Sequence, residues 1–421
     1  TPLYSSAASD VYKRQPLAEL VAEKTGGNPL FAIQFVRALA DEGLLRVNPQ
    51  DGGWKWDLDR IRTRAVADNI VDLMIGRLRR LSSGARQAIA HLACLGNSVG
   101  RQRFDSTFEA HGVDYDEVIY ELCDAGLVLQ NDEILSFAHD RIHEASYALL
   151  SESQRAQAHW RIGQRLLRTL SDSEIDDHLF EVVAQLNSGK AAATRAAEFA
   201  LAAALNLRAG RKARAAAAYW ASCAYLDEGF ALLGDRGWTT DYGLAFALAM
   251  EQAECTFLTR RLDVCTELAS ALLAKAATPV DKAMVCRLQV ELYVVQSKNE
   301  MAVACGLAAL RLFGIDFPAH PGRDLVEREY ADVQAGLAGR PIESLADLPR
   351  MSDAGMLVVM RLLAEVWPPA YFTDFNLTTI AICRMVNLSI RHGKADTSNQ
   401  GYALLGWLMG PAFGRYEEGY R

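Results

Sequence analysis

The chain of 421 residues is too long for one ordinary core, so two or three domains are expected. Half of its residues are hydrophobic and 23% are charged, a globular balance without the composition of a long disordered tract. A net charge of −8 argues against a general affinity for nucleic acid or an anionic membrane.

In chain order, the opening TPLYSSAASDVYKRQ (Thr1 to Gln15) has no Met start, no apolar period and no cap. It resembles translated adapter text and is expected to stand outside the fold. From Pro16 to about Leu45 apolar residues recur at three and four, which predicts two helices separated by Gly26-Gly27-Asn28-Pro29. There Asn28 would cap, and Pro29 would open a helix running to about Asp41. Two glycines and a proline also suit a turn shaped to touch a ligand. Further on, Trp54, Trp56 and Leu58 alternate like a short strand.

From Asp68 the pattern predicts a compact unit. NIVDLMIGRLRRL, SGARQAIAHLACLG and DYDEVIYELCDAGLV read as three amphipathic helices, the last ended by Gly126. A hairpin comes next, turning at Asn131-Asp132. Three helices and a hairpin make the winged-helix plan. Its third helix carries Asp114, Asp116, Glu117, Glu121 and Asp124 and is a poor reader of bases. After Ala138 the text is helical almost to the end, and RKARAAAAYWASCAYLDEG reads as one helix. AMEQAECTFLTRRLDVCTELASALL and CRLQVELYVVQSKNEMAVACGLAAL align at an offset of 37, near the period of tetratricopeptide helix pairs. Stacked pairs forming a solenoid are the expectation, with an irregular helical bundle as the alternative.

Eight scattered cysteines without a CxxC pair read as small buried hydrophobes, giving neither a disulfide framework nor a metal site. The longest uncharged run, Thr397 to Gly414, holds four glycines and Pro411 and is no membrane span. With no signal peptide either, a cytoplasmic location is expected.

GNSVG around Ser98 matches the nucleophile-elbow pattern, but the text before it is helical, which puts Ser98 in a helix-terminating turn. FAHDRIHEASYALL gathers His139, Asp140, His143 and Glu144, yet HEASY lacks the second His of a zinc motif. Asp140 would cap a helix starting at Arg141, which leaves His139 open to another role. No phosphate-binding G-x-x-x-x-G-K-[ST] and no G-x-G-x-x-G occurs. No catalytic residue is assigned.

GGNPLF, the three-helix unit with its hairpin, FAHDRIHEASYALL and the helical repeats together resemble signal-transduction ATPases of the STAND branch of the AAA+ superfamily. The resemblance implies a mostly α fold: a short helical lid over residues 16–66, a winged-helix domain over 67–150, and a tetratricopeptide-like solenoid over 151–421. In that family the lid proline lies against adenine, and a histidine of a His-Asp pair on the winged helix reaches the phosphates. Carried over, these roles fall on Pro29, with Gly27 and Asn28 shaping the turn, and on His139 with Asp140. ATP or ADP is then the implied cofactor, with Mg held in the parent protein.

The later text LRLFGIDFPAHP and AICRMVNLSIRHGKADTSNQGYALLGW is similar to the helical middle of bacterial proteins joining serine/threonine-kinase, ATPase and histidine-kinase domains. YEEGYR ends without a terminating signal, and the chain is expected to be an internal piece of such a protein, itself non-catalytic. Its expected partners are a protein or small-molecule signal on the repeats and kinase domains of the same parent, with no direct nucleic acid and no membrane. A transcriptional regulator with a DNA-binding domain elsewhere, or a plain helical scaffold, are the competing readings.

Overall fold

The computed structural model describes the chain except residues 1–2, 26, 28, 49–52, 64–75, 77, 110–111, 338–341 and 421. It is mostly helical and divides into two compact units, Thr1–Thr194 and Arg195–Arg421. No helix among the described residues is long and apolar enough to cross a membrane.

The first unit opens with α1 (Leu3–Thr25) and α2 (Pro29–Asp41). Helix α1 reaches back into the leader expected to stand outside the fold and runs through Pro16. Leu20 and Val21 of α1 meet Phe35 and Leu39 of α2 in one small core. That core is closed by Leu45 on β1 (Leu45–Val47) and Ile61 on α3 (Leu58–Thr63). The expected strand is β2 (Trp54–Trp56), paired antiparallel with β1 from Leu45↔Trp56 to Val47↔Trp54. Leu58 is not part of it and opens α3 instead.

Most of the first helix expected beyond Asp68 lies outside the described residues. The unit continues with α4 (Ser83–Leu95), β3 (Ser98–Gly100), α5 (Arg101–Thr107), α6 (Tyr115–Asp124), β4 (Val128–Asn131), β5 (Ile134–Phe137) and α7 (Asp140–Ala148). The strands form a three-stranded antiparallel sheet of order β3-β5-β4. Ile89, Leu92, Phe104, Leu122, Leu135 and Ile142 are essentially inaccessible in the core of these elements. Ser82 caps α4 and Asp114 caps α6, each side-chain oxygen accepting backbone N–H groups of the first turn. Gly126 ends α6 in the left-handed region at φ +68°, and Leu127 N–H closes on the Leu122 carbonyl at 3.1 Å. The hairpin turn is Asp132-Glu133, one residue later than expected.

Helices α8 (Glu152–Thr169), α9 (Asp172–Asp177) and α10 (Leu179–Gly189) were expected to open the solenoid, but they group with the first unit. A polar chain is among the contacts that tie them to it. The Tyr147 hydroxyl bonds His159 Nε2 at 3.0 Å, His159 Nδ1 bonds Gln185 Oε1 at 2.7 Å, and the Gln185 amide donates to the Cys94 carbonyl at 2.9 Å. Buried polar groups keep such partners because losing one leaves the other desolvated and unpaired.

The second unit stacks helix pairs. These are α11 (Ala196–Ala215) with α12 (Tyr219–Leu233), then, after the short α13 (Gly237–Thr240), α14 (Tyr242–Leu258) with α15 (Leu262–Lys275), and α16 (Pro279–Val295) with α17 (Asn299–Arg311). The same closing turn ends the first helix of each pair. Ala217, Arg260 and Ser297 take left-handed φ of 58°, 62° and 59°. In each turn the next residue's N–H reaches back five residues: Ala218 to Ala213, Arg261 to Thr256, Lys298 to Tyr293. Arg260 and Ser297 stand 37 residues apart, the offset found between the two aligned sequence segments. The stretch RKARAAAAYW, expected as one helix, is therefore broken at Ala216–Ala218. A side chain strains a left-handed position by about 1 kcal/mol, so Arg260→Gly should raise the unit's stability by about that amount in urea unfolding.

Helices α18 (Arg323–Leu337), α19 (Ala354–Thr373), α20 (Phe375–His392), α21 (Ser398–Phe413) and α22 (Tyr416–Tyr420) complete the unit. Leu362, Leu363, Leu377 and Ile380 bury the α19–α20 contact. Pro368 and Pro369 lie in the last turns of α19 without ending it.

Candidate functional site

The turn between α1 and α2 is built by backbone chemistry. Gly27 sits at φ +72° and its N–H donates to the Ala22 carbonyl at 3.0 Å, while Thr25 Oγ1, buried, bonds the Val21 carbonyl at 2.6 Å. Pro29 is the first residue of α2 and is exposed; its missing N–H is one the helix leaves unpaired at that position. Asn28 lies outside the described residues. Nothing approaches within 4 Å of where a Gly27 Cβ would stand, so a side chain there meets backbone strain rather than a clash.

His139 and Asp140 stand at the head of α7, where β5 turns into the helix. The helix starts at Asp140, and the cap is His139 rather than the expected Asp140. His139 has extended backbone, and its Nδ1 accepts the Arg141 N–H at 3.1 Å. A nitrogen accepting this bond bears no hydrogen, so in the neutral ring the hydrogen belongs to Nε2, which becomes a donor. Asp140 is exposed in the first turn, where the helix dipole favours a carboxylate.

Asn97 is the residue that sequence reasoning missed. Its amide donates to Asp140 Oδ1 at 2.9 Å, and its carbonyl accepts the Phe137 N–H at 3.0 Å. The GNSVG segment thus supports the His-Asp pair and is no nucleophile elbow. Ser98 belongs to β3, one residue past the turn, instead of coming after a strand. His143 bonds the Ala93 carbonyl at 3.0 Å through Nε2 and packs edge-on to Phe137, a core role. Among the described residues no group of three or more His, Cys, Asp or Glu is placed to hold a metal ion. Gly27 and Pro29 stand at the junction of α1 and α2, whose apolar faces make the first small core, whereas His139 and Asp140 head a helix of the next core.

The second unit carries a feature with no sequence forecast, an ion-pair ladder across its helices. Arg211 and Arg214 on α11 reach Glu251 on α14 at 2.7 and 3.0 Å, Glu254 pairs with both Arg214 and Arg287 on α16, and Arg287 also pairs with Glu291. Beside it a cleft of about 500 Å³ is lined by Glu254, Arg287, Arg361, Glu365 and Thr397. Burial pushes the Glu291 carboxyl up to about 7, with the Glu365 and Glu254 charges adding to it against the pull of Arg287. A carboxyl raised on folding adds stability in full below its unfolded value of about 4.3, and that contribution is lost as pH rises through about 7. Glu291→Gln should therefore flatten the second unit's stability between those limits in urea melts taken across pH.

No protein-family model matches the chain. Among curated proteins it is similar to hybrid signal transduction histidine kinase G of Dictyostelium discoideum, 21% identical over 485 aligned positions that take in 96% of this chain. The chain spans 14% of that relative's length. Among solved structures, the Signal Transduction ATPase with Numerous Domains (STAND) protein with a tetratricopeptide repeat sensor from Pyrococcus horikoshii aligns over 93% of this chain and 70% of its own, at 11% identity and a TM-score of 0.28.

Proposed function

We propose that this chain is the regulatory middle of a signal-transduction ATPase/kinase. In this reading the α1–α2 turn and the His139–Asp140 head, the latter as part of a winged-helix domain, close on ATP or ADP whose phosphate loop lies elsewhere in the parent. The helix pairs of the second unit receive a protein or small-molecule signal and relay it to kinase output. The observation that carries the reading is the capping bond of His139: it fixes the ring and makes Nε2–H the donor, the chemistry needed to bond a phosphate oxygen. The similarity to a signal transduction histidine kinase along 96% of the chain supports the signalling context. Acidic residues on α6 favour this role over DNA reading.

Pro29 would lay its ring on the base and His139 would bond the phosphates, with Asn97 and Asp140 steadying the head of α7. The nucleotide would then bias a closed arrangement by binding it better than the open one. The test is ADP retention by the complete parent carrying Pro29→Ala. A loss of about tenfold in affinity supports the assignment. Unchanged affinity, or a parent without a phosphate-binding loop, overturns it.

A further inference from the structure

The first unit carries a cleft that His139 does not line. This cleft of about 600 Å³ is walled by Gln87 and His91 of α4, Glu109 beyond α5, and Gln157, Arg161 and Arg165 of α8. Its volume is that of a small-molecule site. Positions 157, 161 and 165 recur every four residues and so present one stripe of donors.

The guanidinium of Arg165 is only partly satisfied. Its Nε is buried with no hydrogen-bond partner among the described residues. Its ion pair, Nη1 to Glu109 Oε2 at 3.4 Å, is with a carboxylate 60% exposed, a loose surface pairing that a ligand can displace. Arg161 is exposed one turn earlier. His91, its Nε2 3.0 Å from Thr107 Oγ1 and its ring against Phe104 and Phe108, is pushed down to about 3, by burial first and then by the charges of Arg165 and His159. It stays neutral chiefly because it is buried, and the cationic character of the cleft comes from the Arg161 and Arg165 side chains that line it. A cationic cleft in a chain of net charge −8 is a local arrangement, not a reflection of composition.

We propose that this cleft binds a compact phosphate-bearing anion, gripped by Arg161 and Arg165 with the Gln87 and Gln157 amides as further donors. Two guanidinium forks one helical turn apart suit neighbouring phosphate groups, since each can bond two oxygens of one phosphate. The proposal does not depend on the nucleotide reading, because neither Pro29 nor His139 lines the cleft.

The experiment is calorimetric titration of inorganic pyrophosphate into the whole chain at low salt, without magnesium. Binding with Kd below about 1 mM is expected, weakened about tenfold or more by Arg165→Gln and by Arg161→Gln and unaffected by His139→Asn. Arg161 is exposed, so Arg161→Gln should keep the melting temperature of the unsubstituted chain and guards against a folding artefact. Absence of binding, unchanged affinity in both arginine variants, a loss with His139→Asn matching theirs, or tighter binding of citrate than of pyrophosphate would each overturn the proposal.

Discussion

Arg384→Met should destabilise the second unit by about 3–5 kcal/mol. Glu329 on α18 is 5% exposed, and Arg384 on α20 answers it with both faces of its fork, Nε to Oε2 at 3.0 Å and Nη2 to Oε1. The Asn387 amide donates to the Glu329 carbonyl at 3.1 Å, and the Phe317 ring lies 5.1 Å from the guanidinium. Removing the arginine strands a desolvated carboxylate, which must then take up a proton or draw in water. The paired variant Glu329→Leu with Arg384→Met should recover most of the loss, because an apolar pair carries no desolvation cost. Arg328 and Asp324, 70% and 78% exposed, give the contrast: Arg328→Ala should change stability by less than about 0.5 kcal/mol. Urea unfolding of these variants reads all three. A loss below about 1 kcal/mol in Arg384→Met would mean the pair does not hold α18 to α20.

His139→Asn should leave the first unit about as stable as before while weakening ADP binding by the complete parent about tenfold or more. On the proposed function, this substitution separates the observed capping role of the ring from its proposed phosphate contact. Asparagine caps a helix at least as well as other residues, so its side-chain oxygen can accept the Arg141 N–H in place of Nδ1. What it cannot supply is a donor on the far side of the ring. His139→Ala removes the cap together with the proposed donor and should add about 1 kcal/mol of lost stability to the same loss of affinity. If His139→Asn binds ADP as the unsubstituted protein does, the histidine is a cap and nothing more.

Much of the framework was legible in local text. Pro29 at a helix start, Gly126 at a helix end and the 37-residue offset all depend on backbone preferences that act within a few residues. His139 and Asp140 were visible as a pair, but which of them caps α7 was not, since both side chains can accept a backbone N–H. Asn97 was hidden for a different reason: it lies 43 residues from Asp140, and only the pairing of β3 with β5 brings the two together.

The sequence by itself determined the helical character, the small hairpin and the turn chemistry, because propensity and hydrophobic period are local properties. Tertiary structure alone decided the rest. Alanine has the strongest helix propensity of any residue type, yet the chain breaks at Ala216–Ala218, because stacking α12 against α11 gains more than three helical residues lose. Residues 152–189 group with the first unit, and the Tyr147–His159–Gln185 chain that ties them to it has members widely spaced in sequence. The cross-helix ladder from Arg211 to Arg287 and the Arg384–Glu329 pair arise the same way: charges spaced along separate helices meet only when apolar burial has set the helices side by side.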